Sequence, residues 1–258
     1  MSRLKNKVVY ITGAGTGIGR EAAKLFSQEG AQVIIADFNR DLGNETEALV
    51  ESGGGEAFFV ETNVTEEDSV KSSVDAAIER YGKIDLLYNC AGGSVPEDGP
   101  ITKIDPWVID HTLALDIKGT LFPSRHVIPE IIKAGGGAVV NMSSTAALRG
   151  NAMHVYSAAK GAIVALTQSL AASYCKDLIR VNAICPGIIL TDRVKVRFGE
   201  LPDPGESSES LAARTAKRYP FGVGQPKEIA QVALFLLSNE SRMVNGTLVV
   251  ADGGMASF

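Results

Sequence analysis

A chain of 258 residues, 45% hydrophobic and 21% charged, can bury a sizeable core and fits the length of a single α/β domain. A net charge of −5, with lysines and arginines scattered along the chain, leaves no basic stripe and argues against nucleic acid as a partner. No apolar run approaches the roughly 18 residues of a membrane span, Met1 to Lys7 lead into the first strand without a signal-peptide core, and Cys90, Cys175 and Cys185 lack metal-ligand spacing. These features predict a cytoplasmic protein with reduced, mostly buried thiols.

Val8 to Thr12 reads as a buried strand that runs into the glycine turn Gly13-Ala-Gly15-Thr-Gly17-Ile-Gly19 and then a helix with Ala22, Ala23, Leu25 and Phe26 on its apolar side. Glycines let the backbone turn tightly and approach a pyrophosphate, and the helix N-terminus offers free N–H groups and a positive dipole end to the anion. The next strand, Gln32 to Ala36, ends in Asp37, where a dinucleotide-binding fold places its ribose-binding carboxylate. Asp37 is equally placed to cap the following helix, and the two roles are compatible. The nearby cation is Arg40, two residues beyond Phe38.

Further strands are predicted near Ala57–Val60, Ile84–Tyr88, Ala138–Asn141, Ile179–Ile184 and Thr247–Val250, with helical stretches between them. That alternation specifies an α/β fold with a doubly wound, mainly parallel seven-stranded sheet covered by helices on both faces. Gly53 to Gly55 and Gly135 to Gly137 read as helix-ending turns. Tyr156 and Lys160 stand one helical turn apart on a common stripe, and an ammonium beside a phenol favours the phenolate, which makes an acid/base pair. Thr191 to Pro220, rich in Gly, Pro, Glu and Ser, is too long for an ordinary connection and reads as a functional loop.

Several short motifs follow one another in a fixed order: Thr12-Gly13-x-x-x-Gly17-Ile-Gly19, Asn89-Cys-Ala91-Gly92, Val140-Asn141-Met-Ser143-Ser144, Tyr156-x-x-x-Lys160, Arg180-Val-Asn182, Pro186-Gly187-x-x-x-Thr191 and Asp252-Gly253-Gly254. Their conjunction resembles the short-chain dehydrogenase/reductase family nearly end to end. The resemblance implies a single Rossmann domain over residues 1–258, NAD as cofactor, a small alcohol or ketone as substrate, a substrate lid around 191–220 and commonly a homotetramer. It implies Tyr156 as the proton-transferring group, Lys160 as its cationic neighbour and ribose-binding residue, and a serine that hydrogen-bonds the substrate oxygen. To cofactor binding it assigns Gly13, Thr16, Gly17, Ile18, Gly19, Asp37, Phe38, Asn63, Val64, Asn89, Ala91, Gly92, Tyr156, Lys160, Pro186, Gly187, Ile189 and Thr191. It implies no metal.

The chain departs from the family pattern in three places. Counted from the strand, the catalytic serine is Ser144; counted back from Tyr156 by the usual interval, it is Ser143. Ser144 is preferred, because a strand end is fixed more firmly than the loop 149–154. Asp116 stands where the family usually has asparagine, which holds a water in a proton path chiefly through its backbone carbonyl. Aspartate keeps that carbonyl and adds a charge that favours a protonated Lys160 if the two are close. Asn63 replaces an aspartate that contacts the adenine amino group and retains a carbonyl acceptor; otherwise it is a turn residue.

His154, Ala146, Val95, Ile188 and the lid are candidates to shape an apolar substrate pocket; His154 reads equally as a solvated loop residue and is given no proton-transfer role. On the predicted helix after Tyr156, Ala158, Ala162, Ala165 and Ala172 form a small apolar face suited to a second subunit, or to burial within the monomer. The leading reading is an NAD-dependent alcohol dehydrogenase or carbonyl reductase. The alternatives are an NADP-dependent 3-oxoacyl-thioester reductase, which Asp37 disfavours, and a redox-inactive NAD-sensing protein, which the intact Ser144, Tyr156 and Lys160 disfavour.

Overall fold

The computed structural model describes residues 2–194 and 221–256. Most of the expected lid, residues 195–220, lies outside the described residues. One sheet takes its strands from both ends of the chain, in the order β3-β2-β1-β4-β5-β6-β7, and every pairing is parallel. The strands are β1 (Val8–Thr12), β2 (Gln32–Asp37), β3 (Glu56–Glu61), β4 (Leu86–Asn89), β5 (Gly137–Met142), β6 (Ile179–Pro186) and β7 (Leu248–Ala251).

Among the described residues, the α-helices are α1 (Gly17–Gln28), α2 (Arg40–Ser52), α3 (Glu67–Tyr81), α4 (Pro106–Thr112), α5 (Gly119–Lys133), α6 (His154–Tyr174) and α7 (Pro226–Leu237). All five residues of β1 are buried, because the sheet is covered on both faces. Val9, Ile11, Val33 and Ile35 point into a core with Ala22, Ala23 and Phe26 of α1 and Ala230, Ala233 and Leu234 of α7. Their neighbours Val8, Tyr10 and Ile34 point the other way, against Val70 and Val74 of α3, Val127 and Ile131 of α5, and Ala171 of α6. The period of two along each strand thus feeds two cores rather than one core and solvent.

Between α4 and α5 the chain makes a π-helical segment, Leu113–Lys118, which turns Asp116 fully inward. Such wide turns recur at functional sites. Cys185 is buried and Cys90 half-buried, but Cys175 is exposed at the end of α6, contrary to the expectation of mostly buried thiols. Among the described residues, no helix is long and apolar enough to cross a membrane.

Candidate active site

Strand order reverses between β1 and β4, and a cleft of about 520 Å³ opens beyond their carboxyl ends. Thr12, the last residue of β1, accepts through Oγ1 the N–H groups of Cys90 and Ala91 at 3.0 and 3.1 Å. That latch holds the turn after β4 against the turn after β1. At Gly13, where φ is +64°, a Cβ would lie 2.8 Å from Cα of Ala91, and at Gly19 a Cβ would overlap the carbonyl oxygen of Gly13. Only glycine fits these backbone-to-backbone contacts. Thr16, the N-cap of α1, makes no side-chain cap hydrogen bond, and the first turn contains no acidic residue. The N-terminus of α1 therefore presents N–H groups and a positive dipole end to the cleft, which suits a pyrophosphate.

At the far end, Asp37 is buried; Oδ2 accepts the Gly15 N–H at 2.8 Å and Oδ1 the Asn39 N–H at 2.9 Å. A carboxylate has about four lone-pair sites, so acceptor capacity remains for ribose hydroxyls. Asp37 does not cap α2. That role falls to Asn39, whose Oδ1 accepts the Leu42 N–H at 3.0 Å. Phe38 is 75% exposed at the cleft mouth. Arg40 pairs with Glu61 at 2.5 Å. A second cation that the sequence reading passed over, Arg20, pairs with Glu45 at 2.7 Å and donates through Nε to the Gly15 carbonyl at 2.8 Å. Both guanidinium groups at this end of the cleft are thus engaged by carboxylates.

At the near end, α6 carries Tyr156, half-buried, and Lys160, fully buried, with Nζ 5.6 Å from the Tyr156 ring centroid. Nζ donates to the Met142 carbonyl at 2.9 Å and forms an ion pair with Oδ1 of Asp116 at 2.8 Å. The same Oδ1 accepts the Gly93 N–H at 2.9 Å. Burial pulls the Lys160 pKa down, but the Asp116 charge, and then Tyr156, outweigh it and hold the ammonium above its ordinary value. Lys160 is therefore cationic at neutral pH. Both serines line the cleft, but the Ser143 hydroxyl donates to the Lys160 carbonyl at 2.9 Å. Oγ of Ser144 instead accepts the Ala146 N–H at 3.1 Å, which leaves its own O–H to donate.

The sequence profile of the family described as Enoyl-(Acyl carrier protein) reductase matches residues 13–256. An uncharacterised oxidoreductase of Bacillus subtilis is 39% identical over all of this chain and 94% of its own length. The 3-oxoacyl-[acyl-carrier-protein] reductase of Thermotoga maritima is 34% identical, over 98% of this chain and 99% of its own. Among solved structures, a 7α-hydroxysteroid dehydrogenase complexed with NADH and 7-oxo glycochenodeoxycholic acid superposes with a TM-score of 0.88 at 33% identity, covering 98% of this chain and 95% of that one. The chain belongs to the short-chain dehydrogenase/reductase family. It is an oxidoreductase of that family, whose members use a nicotinamide cofactor.

Most of the positions that the family assigns to cofactor binding lie along the cleft wall: Gly13, Thr16, Gly17, Ile18, Gly19, Asp37, Phe38, Asn63, Val64, Ala91, Gly92, Tyr156, Lys160, Pro186, Gly187, Ile189 and Thr191. Asn89 does not. It is buried behind the wall, where Nδ2 donates to Oδ1 of Asn141 at 2.9 Å and Oγ of Ser124 at 3.1 Å, tying β4 to β5 and α5. Asn63 reaches the cleft, yet its Oδ1 already accepts the Thr65 N–H and O–H at 3.1 and 2.8 Å. Its side-chain carbonyl therefore shapes a turn rather than standing ready for an adenine amino group. The Asp116 carbonyl accepts the Thr120 hydroxyl at 2.9 Å, while the side chain makes the ion pair with Lys160.

Of the residues expected to shape a substrate pocket, Ile188 lines the cleft, whereas Val95, Ala146 and His154 do not; His154 is exposed, with Nδ1 accepting the Ile101 N–H at 3.1 Å. Among the described residues, the wall also includes Ser94, Leu115, Met142, Met153 and Arg193. Arg193 donates to the Gly92 carbonyl at 2.8 Å, and its guanidinium occupies the space where a Cβ on Gly93 would lie. Periodicity does not mark these side chains as wall residues, because they come from segments far apart in the chain: the loop after β4, the π-helical segment, the end of β5, the turn before α6 and the stretch after β6.

Proposed function

We propose that the protein is an NAD-dependent oxidoreductase that interconverts a secondary alcohol and a ketone, with Tyr156 as the acid/base group. The observation that carries this reading is the meeting, in one cleft, of the glycine cradle and Asp37 with Ser144, Tyr156 and a charged Lys160. The cradle residues Gly13 to Gly19 would hold the pyrophosphate, Asp37 the adenosine ribose and Lys160 the nicotinamide ribose. When bound, the nicotinamide ring supplies hydride acceptance during oxidation and hydride donation during reduction. Ser144 donates its free O–H to the substrate oxygen and fixes it beside the phenol. Tyr156 takes the alcohol proton on its phenolate oxygen in oxidation and returns it in carbonyl reduction. Lys160, kept charged by Asp116, stabilises the phenolate form of its neighbour.

Asp37 supports NAD over NADP, because a 2′-phosphate dianion would face its carboxylate, and Arg20 and Arg40 are already paired with glutamates. The small face of α6 supports self-association: Ala158, Ala165 and Ala172 are exposed, and Ala162 is half-exposed. We include a homotetramer in the proposal on that ground.

The test is Tyr156→Phe, assayed with secondary alcohols by formation of the reduced cofactor, together with titration of NAD and NADP. Turnover should fall by about 10²-fold or more, while NAD affinity stays near that of the parent, because the proton carrier is lost and the cradle is not. Retained turnover would exclude the mechanism. Absence of any turnover in the parent, with cofactor still bound, would favour the sensing protein. Equal or better use of NADP would remove the role given to Asp37 and favour the thioester reductase.

A further inference from the structure

The loop that follows β4 supplies Ala91, Gly92, Gly93 and Ser94 to the cleft wall and then reaches Asp98, a carboxylate only 7% exposed. Asp98 grips the first turn of the helix that carries the catalytic pair. Its Oδ2 accepts the backbone N–H of Tyr156 at 2.7 Å, and its Oδ1 accepts that of Val155 at 3.2 Å. These are the N–H groups that an N-cap side chain ordinarily satisfies. In α6 the N-cap position is held by Met153, whose thioether is a weak acceptor. Helices α2 and α4 take their caps from adjoining residues, Asn39 and Asp105, whereas α6 takes its cap from 57 and 58 residues upstream.

We infer that Asp98 is a positioning residue for the reaction: it clamps the cleft-wall loop to the backbone of Tyr156 itself, so that the phenol and the wall keep one fixed separation. A second tie runs beside it, from the Ile101 N–H to Nδ1 of His154, the first residue of α6. The chemistry demands a carboxylate. Both oxygens accept, one N–H each, and an amide of the same shape would turn its NH₂ group toward one of the two donors. The charge also sits at the positive end of a 21-residue helix, where an anion is favoured. The inference rests on the role proposed for Tyr156, since it acts through that residue and not through any contact with substrate.

The test compares Asp98→Ala, Asp98→Asn and Asp85→Asn in the full-length protein, with an alcohol that the parent oxidises. Asp85 is the comparator because it is another buried carboxylate, held by Lys7, Lys83 and the Val8 N–H at the opposite end of the sheet. In Asp98→Ala, kcat should fall by about 10- to 100-fold, the scale expected when a reacting group is displaced by an ångström. NAD affinity should hold, and the deuterium isotope effect on kcat should rise as chemistry becomes limiting. Asp98→Asn, which keeps one acceptor, should lie between Asp98→Ala and the parent. Asp85→Asn should lower Tm while leaving kcat per folded enzyme and the isotope effect unchanged.

A kcat within twofold of the parent in Asp98→Ala would overturn the inference. So would a loss that tracks Tm alone with an unaltered isotope effect, as in the Asp85 variant. If Tyr156→Phe abolishes turnover and Asp98→Ala does not, only this inference fails. If Tyr156→Phe remains active, the proposed function fails and takes the inference with it.

Discussion

Lys160 and Asp116 show how one departure from a family pattern resets local electrostatics. Both side chains are buried, 2.8 Å apart, and the lysine pKa is raised because the aspartate charge outweighs the penalty of burial. Removing one partner of a buried pair typically costs about 3–5 kcal/mol, since the survivor keeps its desolvation penalty. Asp116→Ala should therefore destabilise the protein by about that amount in urea unfolding, and Asp116→Asn, which leaves an acceptor, by less. The pH dependence carries the sign. In the parent, the folded-state pKa lies above the unfolded value, so the lysine contributes full stability below the lysine range and loses it as pH rises through the folded pKa. In Asp116→Ala, burial is the largest influence left, opposed by Tyr156 but no longer by an aspartate, and it pulls the pKa down, so stability should instead rise with pH toward about 10.4, the ordinary lysine value. Unfolding curves from neutral to alkaline pH distinguish the two slopes. Asp116 was legible as a substitution in the sequence; that its side chain reaches Lys160 was not, because the π-helical segment that turns it inward leaves no periodic signature.

The elements were legible to different degrees. β1 and α1 announce themselves because an apolar run, a glycine turn and an apolar helix stripe are local patterns, and the predicted strand limits recur as Val8–Thr12. The glycine turn is also where local sequence and long-range packing meet. Gly19 lies against the Gly13 carbonyl, and Gly13 against Ala91 from the turn after β4. Gly19→Ala should push α1 away from β1 and lower NAD affinity by about tenfold or more, roughly 1.4 kcal/mol. Fluorescence titration of the cofactor reads this directly, and an unchanged Kd would mean that the turn is not the pyrophosphate cradle. The end of the loop after β4 gave no comparable signal. Asp98 follows Pro96 and Glu97 in a stretch that reads as an ordinary acidic loop, and only the approach of α6 gives its carboxylate two N–H groups to hold.

At the scale of the whole molecule, the two faces of α6 have different fates. Ala159, Ile163 and Thr167 are buried against the sheet, while Ala158, Ala165 and Ala172 face outward with side chains too small to hinder a close helix contact. Ala165→Arg should shift the protein toward smaller species in sedimentation velocity, because a guanidinium and its stem would stand in that contact. A parent that sediments as a monomer would remove the tetramer from the proposal.

What the sequence determined by itself was the doubly wound sheet, the glycine turn after β1 and the placing of Tyr156 and Lys160 one helical turn apart, since each follows from a local pattern; the two countings that pointed to Ser144 and to Ser143 could be weighed further only once the partners of the two hydroxyls were in view. What only the tertiary structure decided were contacts between segments far apart in the chain: the Thr12 latch, the burial of Asn89 behind the wall, the pairing of Lys160 with Asp116, and the grip of Asp98 on Tyr156. The division has a physical cause. Periodicity records how a residue relates to its own element, whereas the partner of a buried polar group is chosen by whichever backbone the fold brings within about 3 Å.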